Sequence, residues 1–311
     1  MASTGPDFEK VDKKEFVDIP SSVPAIKIHL PLVGISQRPT NILFTDPFDA
    51  AQSVHLYTDI RVASSLVAEQ RGLHMSRIEE CIDELRTAGL PIGEFVESCA
   101  KMIVKTQQQN SCRVELTANY EKHTLKNPSG RPSKELIKLL SIVDIDGTST
   151  KVRTGVVVPF INACPCTQRW GMREYYQVLR SKGYDHQTSE ELVKSAPLQA
   201  HTNRGSAQLI ITNPDVTHKM IYESLEQAVP IIRELLKGQD EHALVREAHR
   251  QGQFCEDNIR AIAKQVVTSF RDTLPASTPI KIQVEVDESV HFHNLWAELE
   301  QTLEKIEGGL V

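Results

Sequence analysis

Residues 155–168 read GVVVPFINACPCTQ, an apolar and largely β-branched run that leads straight into two cysteines flanking a proline. The run predicts a strand from Lys151 to Ile161, which delivers Cys164 and Cys166 to its own end. Thiols at a strand end can be reactive or can bind a metal. From spacing alone, two ordinary buried thiols explain the pattern equally well, because zinc knuckles and redox pairs separate their cysteines by more than one residue.

The composition is that of an ordinary globular protein. The 311 residues are 40% hydrophobic and 24% charged, and the formal net charge is -6. Without a basic excess, binding to nucleic acid or to a membrane surface is not expected. No apolar run approaches the roughly 18 residues of a membrane span. Residues 1–18 lack a signal-peptide pattern and the six cysteines are scattered, so free thiols and a cytoplasmic location are predicted.

Hydrophobic periodicity predicts the order β-β-α-α-β-β in the first half of the chain. Strands are predicted at 25–30, 55–62, 112–120 and 151–161, and helices at 76–85 and 92–106. A short helix-like stretch is also predicted at about residues 133–140. Residues 1–20 are expected to form a flexible arm, and residues 21–161 a first module.

The second half, residues 162–311, is predicted to be a similar α+β module with a helical insert at about residues 171–196. Its predicted strands are 205–212 and 279–286. Its predicted helices are 216–236, broken or kinked near Pro230, and 241–250, 256–274 and 295–306. The insert follows the two cysteines directly. The sequence leaves open whether it acts as a lid or as an oligomer contact.

Two pairs of polar side chains in the second half could act together with Cys164. His201 and Arg204 precede a predicted strand, where histidine can bind a metal and arginine can hold a phosphate. Glu241 and Glu256 lie on consecutive predicted helices. Each residue also has a more ordinary explanation, since loop histidines and helix glutamates are usually solvated.

Two further stretches carry candidate residues. If the alternation of the strand at 279–286 continues, His291 and His293 share one face, which suits metal binding or proton transfer. A pair of surface histidines is the alternative. Arg77 lies at the start of a helix that Ser76 is predicted to cap, a place where anions bind readily, although a capped helix start explains it as well.

Six short stretches, taken in this order, resemble the GTP cyclohydrolase type IB family, which includes an archaeal pterin-forming branch. They are GLHMSR (72–77), CPC (164–166), HTNRG (201–205), QDE (239–241), FCEDNIR (254–260) and HFH (291–293). The resemblance covers most of the chain. It implies a tunnelling fold of the α+β class, built from two ββααββ-like modules with an antiparallel sheet and helices on one face. It also implies a dimer or tetramer whose strands join into a barrel, with active sites between subunits.

The resemblance assigns a metal site to Cys164, His201 and Glu241, with Cys166 as an extra ligand. One divalent ion per site is implied. Thiolate, imidazole and carboxylate ligands together suit Fe(II) and Zn(II), and Mn(II) less naturally. Fe(II) is the favoured expectation.

The remaining roles also come from the resemblance. Cys164, His291 and His293 are the expected catalytic residues, Glu256 the guanine-binding residue, and Arg204 or Arg77 the phosphate-binding residue. The implied reaction opens the imidazole ring of GTP, releases formate and forms a 7,8-dihydroneopterin triphosphate or 2',3'-cyclic phosphate.

Some features depart from the family pattern. The connection between Cys164 and His201 is longer than in compact bacterial members, and Gly252 and Gln253 replace an expected proline turn. Two alternatives therefore stay open: a tunnelling-fold nitrile reductase of the deazaguanine pathway, which would use a covalent cysteine and NADPH, and a relative that binds a purine or pterin without catalysis.

Overall fold

The computed structural model describes residues 18–124, 127–196, 200–234, 237–250 and 252–310, so most of the predicted N-terminal arm lies outside the described residues. Within these ranges, eight strands form one antiparallel sheet in chain order. The strands are β1 (Leu30–Thr45), β2 (Ser53–Leu66), β3 (Ser111–Thr124), β4 (Ser133–Asp146), β5 (Ser149–Ala163), β6 (Thr202–Thr212), β7 (Pro279–Asp287) and β8 (Leu295–Thr302).

The described helices include the predicted core helices of both halves and the predicted helical insert. They are α1 (Met75–Leu85), α2 (Ile92–Gln107), α3 (Pro165–Ser181), α4 (His186–Ser195), α5 (His218–Ala228), α6 (Gly238–Arg250), α7 (Cys255–Phe270) and α8 (Leu303–Gly308). The first half therefore reads β1-β2-α1-α2-β3-β4. The second repeats this order with α3 and α4 inserted between its first two strands and α6 between its two core helices.

Two predicted helices are wrong, and both are strands. Residues 133–140 belong to β4, which pairs with β3 along its whole length, and residues 295–302 form β8, which pairs with β7. Both segments contain Leu and Glu residues, which favour helices by only tenths of a kcal/mol per residue, and pairing with a neighbouring strand overrides that preference. The predicted strand 151–161 is β5, which lies between β4 and β6. The division at residue 161 stays a prediction about modules.

A break or kink near Pro230 is predicted for the helix over 216–236, and the structure shows where this helix stops. It ends at Ala228, just before Pro230, a residue that cannot donate a backbone hydrogen bond. The chain then runs alongside β5, where the Ile161 N–H donates to the Pro230 carbonyl at 3.1 Å and the Ile232 N–H donates to the Pro159 carbonyl at 2.9 Å. This segment hydrogen-bonds to β5 beyond Val157, where the pairing of β5 with β4 ends.

The hydrophobic core lies between the sheet and the helices on one of its faces. Alternate strand residues such as Leu116 and Leu209 are fully buried, as are the helix residues Phe95 and Ile262 that belong to the same apolar cluster. Helix α2 packs on β3 and β4, and α7 packs on β7 and β8. The period-2 burial of the strands leaves polar side chains on the opposite face, as expected for a half-covered antiparallel sheet.

A buried polar cluster joins the two halves of the sheet. Glu135 on β4 is fully buried and accepts hydrogen bonds from the Tyr222 hydroxyl of α5 and from Arg233 Nε, the latter at 2.5 Å. Lys122 of β3 lies 3.9 Å from the same carboxylate and 4.4 Å from the centre of the Tyr222 ring. Burial and the neighbouring Glu135 raise the pKa of Tyr222, so its hydroxyl stays protonated and donates.

Among the described residues, no helix is both long enough and apolar enough to span a membrane.

Candidate active site

The pairing of β5 with β6 brings Cys164 and His201 together. Ala163 lies opposite Thr202 in the ladder, and the next hydrogen bond runs from the Cys164 N–H to the His201 carbonyl at 3.1 Å. Cys164 is also the N-cap of α3, whose first residue is Pro165, a position that proline occupies without losing a helical hydrogen bond. Helices α3 and α4 are therefore inserted between two paired strands: they begin after Cys164, at the end of β5, and lead back to His201, just before β6.

The surroundings of Cys164 favour the thiolate. Partial burial raises the pKa of this thiol, but hydrogen bonds from the Thr167 N–H and hydroxyl, from the Cys166 N–H and with the His201 side chain outweigh it, and the net pKa is lowered. Cys166 itself is exposed. The site therefore offers an activated sulfur beside an imidazole.

Oxygen atoms surround one ring nitrogen of His201. Its Nδ1 lies 3.3 Å from Asn203 Oδ1, 3.4 Å from Ser289 Oγ and 4.0 Å from Glu288 Oε2. Asn203 Oδ1 can only accept and Ser289 Oγ is able to accept, so these oxygens favour the tautomer that carries its proton on Nδ1 and has its lone pair on Nε2. Nε2 is the nitrogen that can bind a metal.

The loop between β7 and β8 carries His291 and His293 to this site. The strand ends at Asp287, so the two histidines do not continue its alternation and the predicted shared strand face is wrong. Their rings are instead stacked, with centroids 5.3 Å apart, and the His291 ring lies 6.4 Å from that of His201. Both are exposed, so a bound substrate can reach them.

The link between α6 and α7 passes beside Cys164. The Gln253 N–H donates to the Ala163 carbonyl at 3.0 Å, and a Cβ on Gly252 would lie 3.0 Å from the Cα of Pro165. Only glycine allows so close an approach without a shift of the backbone. Glu256 follows in the first turn of α7, where it is exposed and borders a groove of about 360 Å³ against β8.

Glu241 does not join Cys164 and His201 in the described chain. Its neighbour Asp240 accepts a hydrogen bond from the Ser129 N–H at 2.8 Å, so the start of α6 lies against the β3–β4 connection. The end of α6 lies near the site instead, with His249 Nε2 3.3 Å from the Ala200 carbonyl. About two helical turns, roughly 12 Å, separate Glu241 from His249. Among the described residues, no three His, Cys, Asp or Glu side chains are placed to share a metal.

The two candidate arginines lie in different halves of the chain. Arg204 is exposed on β6, opposite Asp287 of β7 and close in sequence to His201. Arg77 lies on α1 and donates to the Thr106 carbonyl at 3.1 Å. The helix that carries Arg77 begins at Met75 without a side-chain cap, so the predicted Ser76 cap is wrong.

Asn203 and Glu288 are site residues that the sequence did not single out. Asn203 is buried, the side chain of Glu288 is largely buried, and Asn203 Nδ2 donates to Glu288 Oε1 at 2.9 Å. The only sequence signal was their proximity to His201 and to the pair of histidines. Their burial depends on the pairing of β6 with β7.

Comparison with known families decides among the chemistries that these residues allow. The profile of the family described as "Type I GTP cyclohydrolase folE2" matches residues 16–297. The chain belongs to this family. The cyclohydrolase is 27% identical over 299 residues to "GTP cyclohydrolase MptA" of Haloquadratum walsbyi, with 93% of this chain and 96% of the relative covered. It is 28% identical over 310 residues to the protein of the same name from Methanococcus aeolicus, with 95% and 99% covered.

Solved structures confirm the tunnelling fold of this cyclohydrolase. The uricase of Arthrobacter globiformis superimposes with a TM-score of 0.51 at 10% identity, covering 89% of this chain and 95% of the uricase. At that identity the likeness concerns the fold alone. The expected family, fold class and GTP cyclohydrolase activity are thus confirmed, and the chain is an enzyme.

Proposed function

We propose that this cyclohydrolase binds one divalent metal at Cys164 and His201 and opens the imidazole ring of the guanine of GTP, releasing formate and forming a 7,8-dihydroneopterin phosphate. The observation that carries the proposal is the contact of the Cys164 thiol with the His201 imidazole, whose Nδ1 faces Asn203 Oδ1. When bound, the metal supplies a Lewis acid that makes water nucleophilic near neutral pH.

The donor set fits such an ion. A thiolate beside an imidazole suits Fe(II) or Zn(II) better than Mn(II), and Fe(II) stays the favoured ion. Glu241 is the proposed third ligand and Cys166 an extra one. Their assignment rests on the family resemblance, and for Glu241 a metal titration is the direct test. A Glu241→Gln variant should bind Co(II) at least about 10-fold more weakly than the parent protein. Equal affinity would remove Glu241 from the site.

The chain's own side chains orient the substrate and move protons. His291 and His293, stacked and exposed beside His201, are suited to protonate the imidazole nitrogens of the guanine as the ring opens. The exposed carboxylate of Glu256 is suited to accept hydrogen bonds from the guanine N1–H and 2-amino groups. Arg204, on the strand that follows His201, is placed to hold phosphate.

A homo-oligomer with active sites between subunits is also proposed. Strands β1 and β8 are the two edges of the described sheet, and unpaired edges favour association with another strand. Trp296 on β8 is 70% exposed. Arg77 lies on α1 in the first half of the chain, so a second subunit is what would bring it to a substrate at Cys164. The cytoplasmic location stays a prediction.

Anaerobic turnover of GTP tests the proposed function. Purified protein loaded with Fe(II), Zn(II) or Mn(II) should release formate and yield a dihydropterin, and its mass will distinguish the triphosphate from the cyclic phosphate. Folded protein that forms neither product with any of the three ions would contradict the proposal.

A further inference from the structure

We propose that Glu288 is a positioning residue for His201. Its carboxylate accepts a hydrogen bond from the His201 Nδ1–H group and thereby directs Nε2 at the metal. The inference deepens the proposed function and rests on the role of His201 as a ligand. Its evidence comes from four side chains, Asn203, His201, Glu288 and Ser289, which meet where β6 begins and β7 ends.

Glu288 is buried in an otherwise exposed loop. Its side chain is only 7% exposed, whereas Val290 and Phe292, which follow it, are 59% and 114% exposed. One carboxylate oxygen, Oε1, accepts from Asn203, but the other, Oε2, is buried and has no hydrogen-bond partner among the residues that the structure describes. Leaving a buried acceptor unpaired costs about 1–3 kcal/mol, and more for a charged group. Such a group is retained in a loop only where another interaction compensates for it.

The orphaned oxygen faces His201. Glu288 Oε2 lies 4.0 Å from His201 Nδ1, just beyond hydrogen-bonding distance. The other two acceptors, on Asn203 and Ser289, are also long at 3.3 and 3.4 Å. A small rotation of the imidazole would bring the Nδ1–H group of His201 within hydrogen-bonding distance of this carboxylate oxygen. Metal-bound histidines commonly donate their second N–H to a carboxylate in this way, which fixes the ring and raises its basicity.

Asn203 sets the direction of every hydrogen bond in the group. Its Oδ1 accepts from the Ser289 N–H at 3.1 Å, and its Nδ2 donates to Glu288 Oε1. The amide cannot flip without losing both bonds, so an oxygen, and not an N–H group, faces His201 Nδ1. Asn203 thereby holds Glu288 so that its second carboxylate oxygen, Oε2, lies on the Nδ1 side of His201.

The same geometry separates positioning from direct ligation. Glu288 Oε2 lies on the Nδ1 side of the ring, whereas a ligand of the same metal would lie on the Nε2 side. The competing explanation is a purely structural one, in which Glu288 only anchors the start of the loop.

A glutamine at this position distinguishes the two explanations. In a Glu288→Gln variant, the glutamine oxygen must still accept from Asn203, so its amide N–H group turns toward Nδ1. That donor favours the opposite tautomer of His201, with the proton on Nε2 and no lone pair for a metal. A Glu288→Asp variant keeps an acceptor there and should retain the parent tautomer. Glu285→Gln, on the exposed face of β7, is the matched control.

The first measurement uses the metal-free full-length protein labelled with ¹⁵N-histidine, with the His201 signals assigned from a His201→Gln variant. We expect the Nδ1–H form in the parent, in Glu288→Asp and in Glu285→Gln, and the Nε2–H form in Glu288→Gln. An Nε2–H tautomer in the parent protein would overturn the proposal, and so would an unchanged tautomer in Glu288→Gln. If Glu288→Gln does not fold, the parent and the aspartate variant still decide.

The second measurement is Co(II) affinity, read from the thiolate-to-cobalt absorption band. Glu288→Gln should weaken binding about 10- to 100-fold, Glu288→Asp less, and Glu285→Gln not at all. Affinity within twofold of the parent in Glu288→Gln would overturn the proposal. A parent protein that shows the Nδ1–H tautomer but binds no metal and turns over no GTP would instead contradict the proposed function, so the two failures are distinguishable.

Discussion

The two halves of this cyclohydrolase share one order of strands and core helices but differ in how these elements are connected. In the first half, a short turn joins β1 to β2, and α2 follows α1 after a few residues. In the second half, α3 and α4 lie between β5 and β6, and α6 lies between α5 and α7. The pairing of strands and the apolar core are otherwise equivalent.

The candidate active-site residues follow these differences. The β1–β2 turn is stabilised by Asp46, whose carboxylate accepts from the Phe48 N–H at 2.8 Å and from the Tyr120 hydroxyl, and the turn simply closes a hairpin. At the equivalent place in the second half, Cys164 and His201 flank the inserted helices. A common scaffold thus supplies the strand pairing, and the connections supply the chemistry.

The largest expected effect concerns Cys164, at the connection where the two halves differ most. Cys164→Ala should lower GTP turnover on the order of 10³-fold or more and abolish Co(II) binding, because it removes the sulfur ligand of the proposed metal. Cys81→Ala, at a buried cysteine of α1 in the first half, should retain turnover and lose only some stability. Steady-state kinetics and metal analysis test both. If Cys164→Ala keeps more than about one tenth of the parent turnover, the assignment of Cys164 as a metal ligand is contradicted.

The next effect concerns the cluster that holds the halves together. Arg233→Ala removes the hydrogen-bonded cation of the buried Glu135 carboxylate and leaves only Lys122, 3.9 Å away, so it should cost about 3 kcal/mol in the free energy of unfolding. Arg38→Ala removes a more exposed pair with Glu79 inside the first half and should cost at most about 1 kcal/mol. Urea denaturation compares them, and similar costs would mean that the cluster does not join the halves.

Glu256 and Glu94 sharpen the comparison, since each lies in the first turn of the second core helix of its half. Glu256→Gln should lower kcat/KM for GTP by about 10²-fold and reduce the preference for GTP over inosine triphosphate, which lacks the 2-amino group. Glu94→Gln should change neither quantity. An unaltered preference in Glu256→Gln would show that another residue binds the guanine.

The smallest effect is a pH dependence that arises where the halves meet. His218 of α5 is buried, with Nε2 2.9 Å from the Leu140 carbonyl of β4, and burial lowers its pKa to about 4. The unfolded chain takes up this proton near pH 6.5 and the folded protein only near pH 4, so stability is complete above pH 6.5 and is lost as the pH falls. At pH 5 the loss should be about 2 kcal/mol.

Urea denaturation across the range from neutral to acidic pH measures this loss in the free energy of unfolding. His218→Gln should flatten the decline, whereas His123→Gln, at an exposed histidine of β3, should leave it unchanged. A parent protein whose stability does not fall between pH 6.5 and pH 5 would contradict the assignment to His218.

Several elements could be predicted from local pattern alone. The alternation of Pro279–Asp287, the apolar run that forms β5 and the helical spacing of Ile92–Gln107 all match the described elements closely. Residues 133–140 and 295–302 could not be predicted in this way. Their side chains favour a helix, and the two segments form strands because β3 and β7 are present to pair with them. Local preference amounts to tenths of a kcal/mol per residue, and tertiary pairing exceeds it.

The sequence by itself determined which chemistry is available: a pair of cysteines at a strand end, histidines, glutamates and arginines in an order that resembles one family. Only the tertiary structure decided which of them meet. Strand register places Cys164 opposite His201, and the length of α6 keeps Glu241 at its far end. Burial of Glu288 beside His201 depends on β6 and β7 lying side by side, since proximity across a sheet is set by pairing and not by distance along the chain.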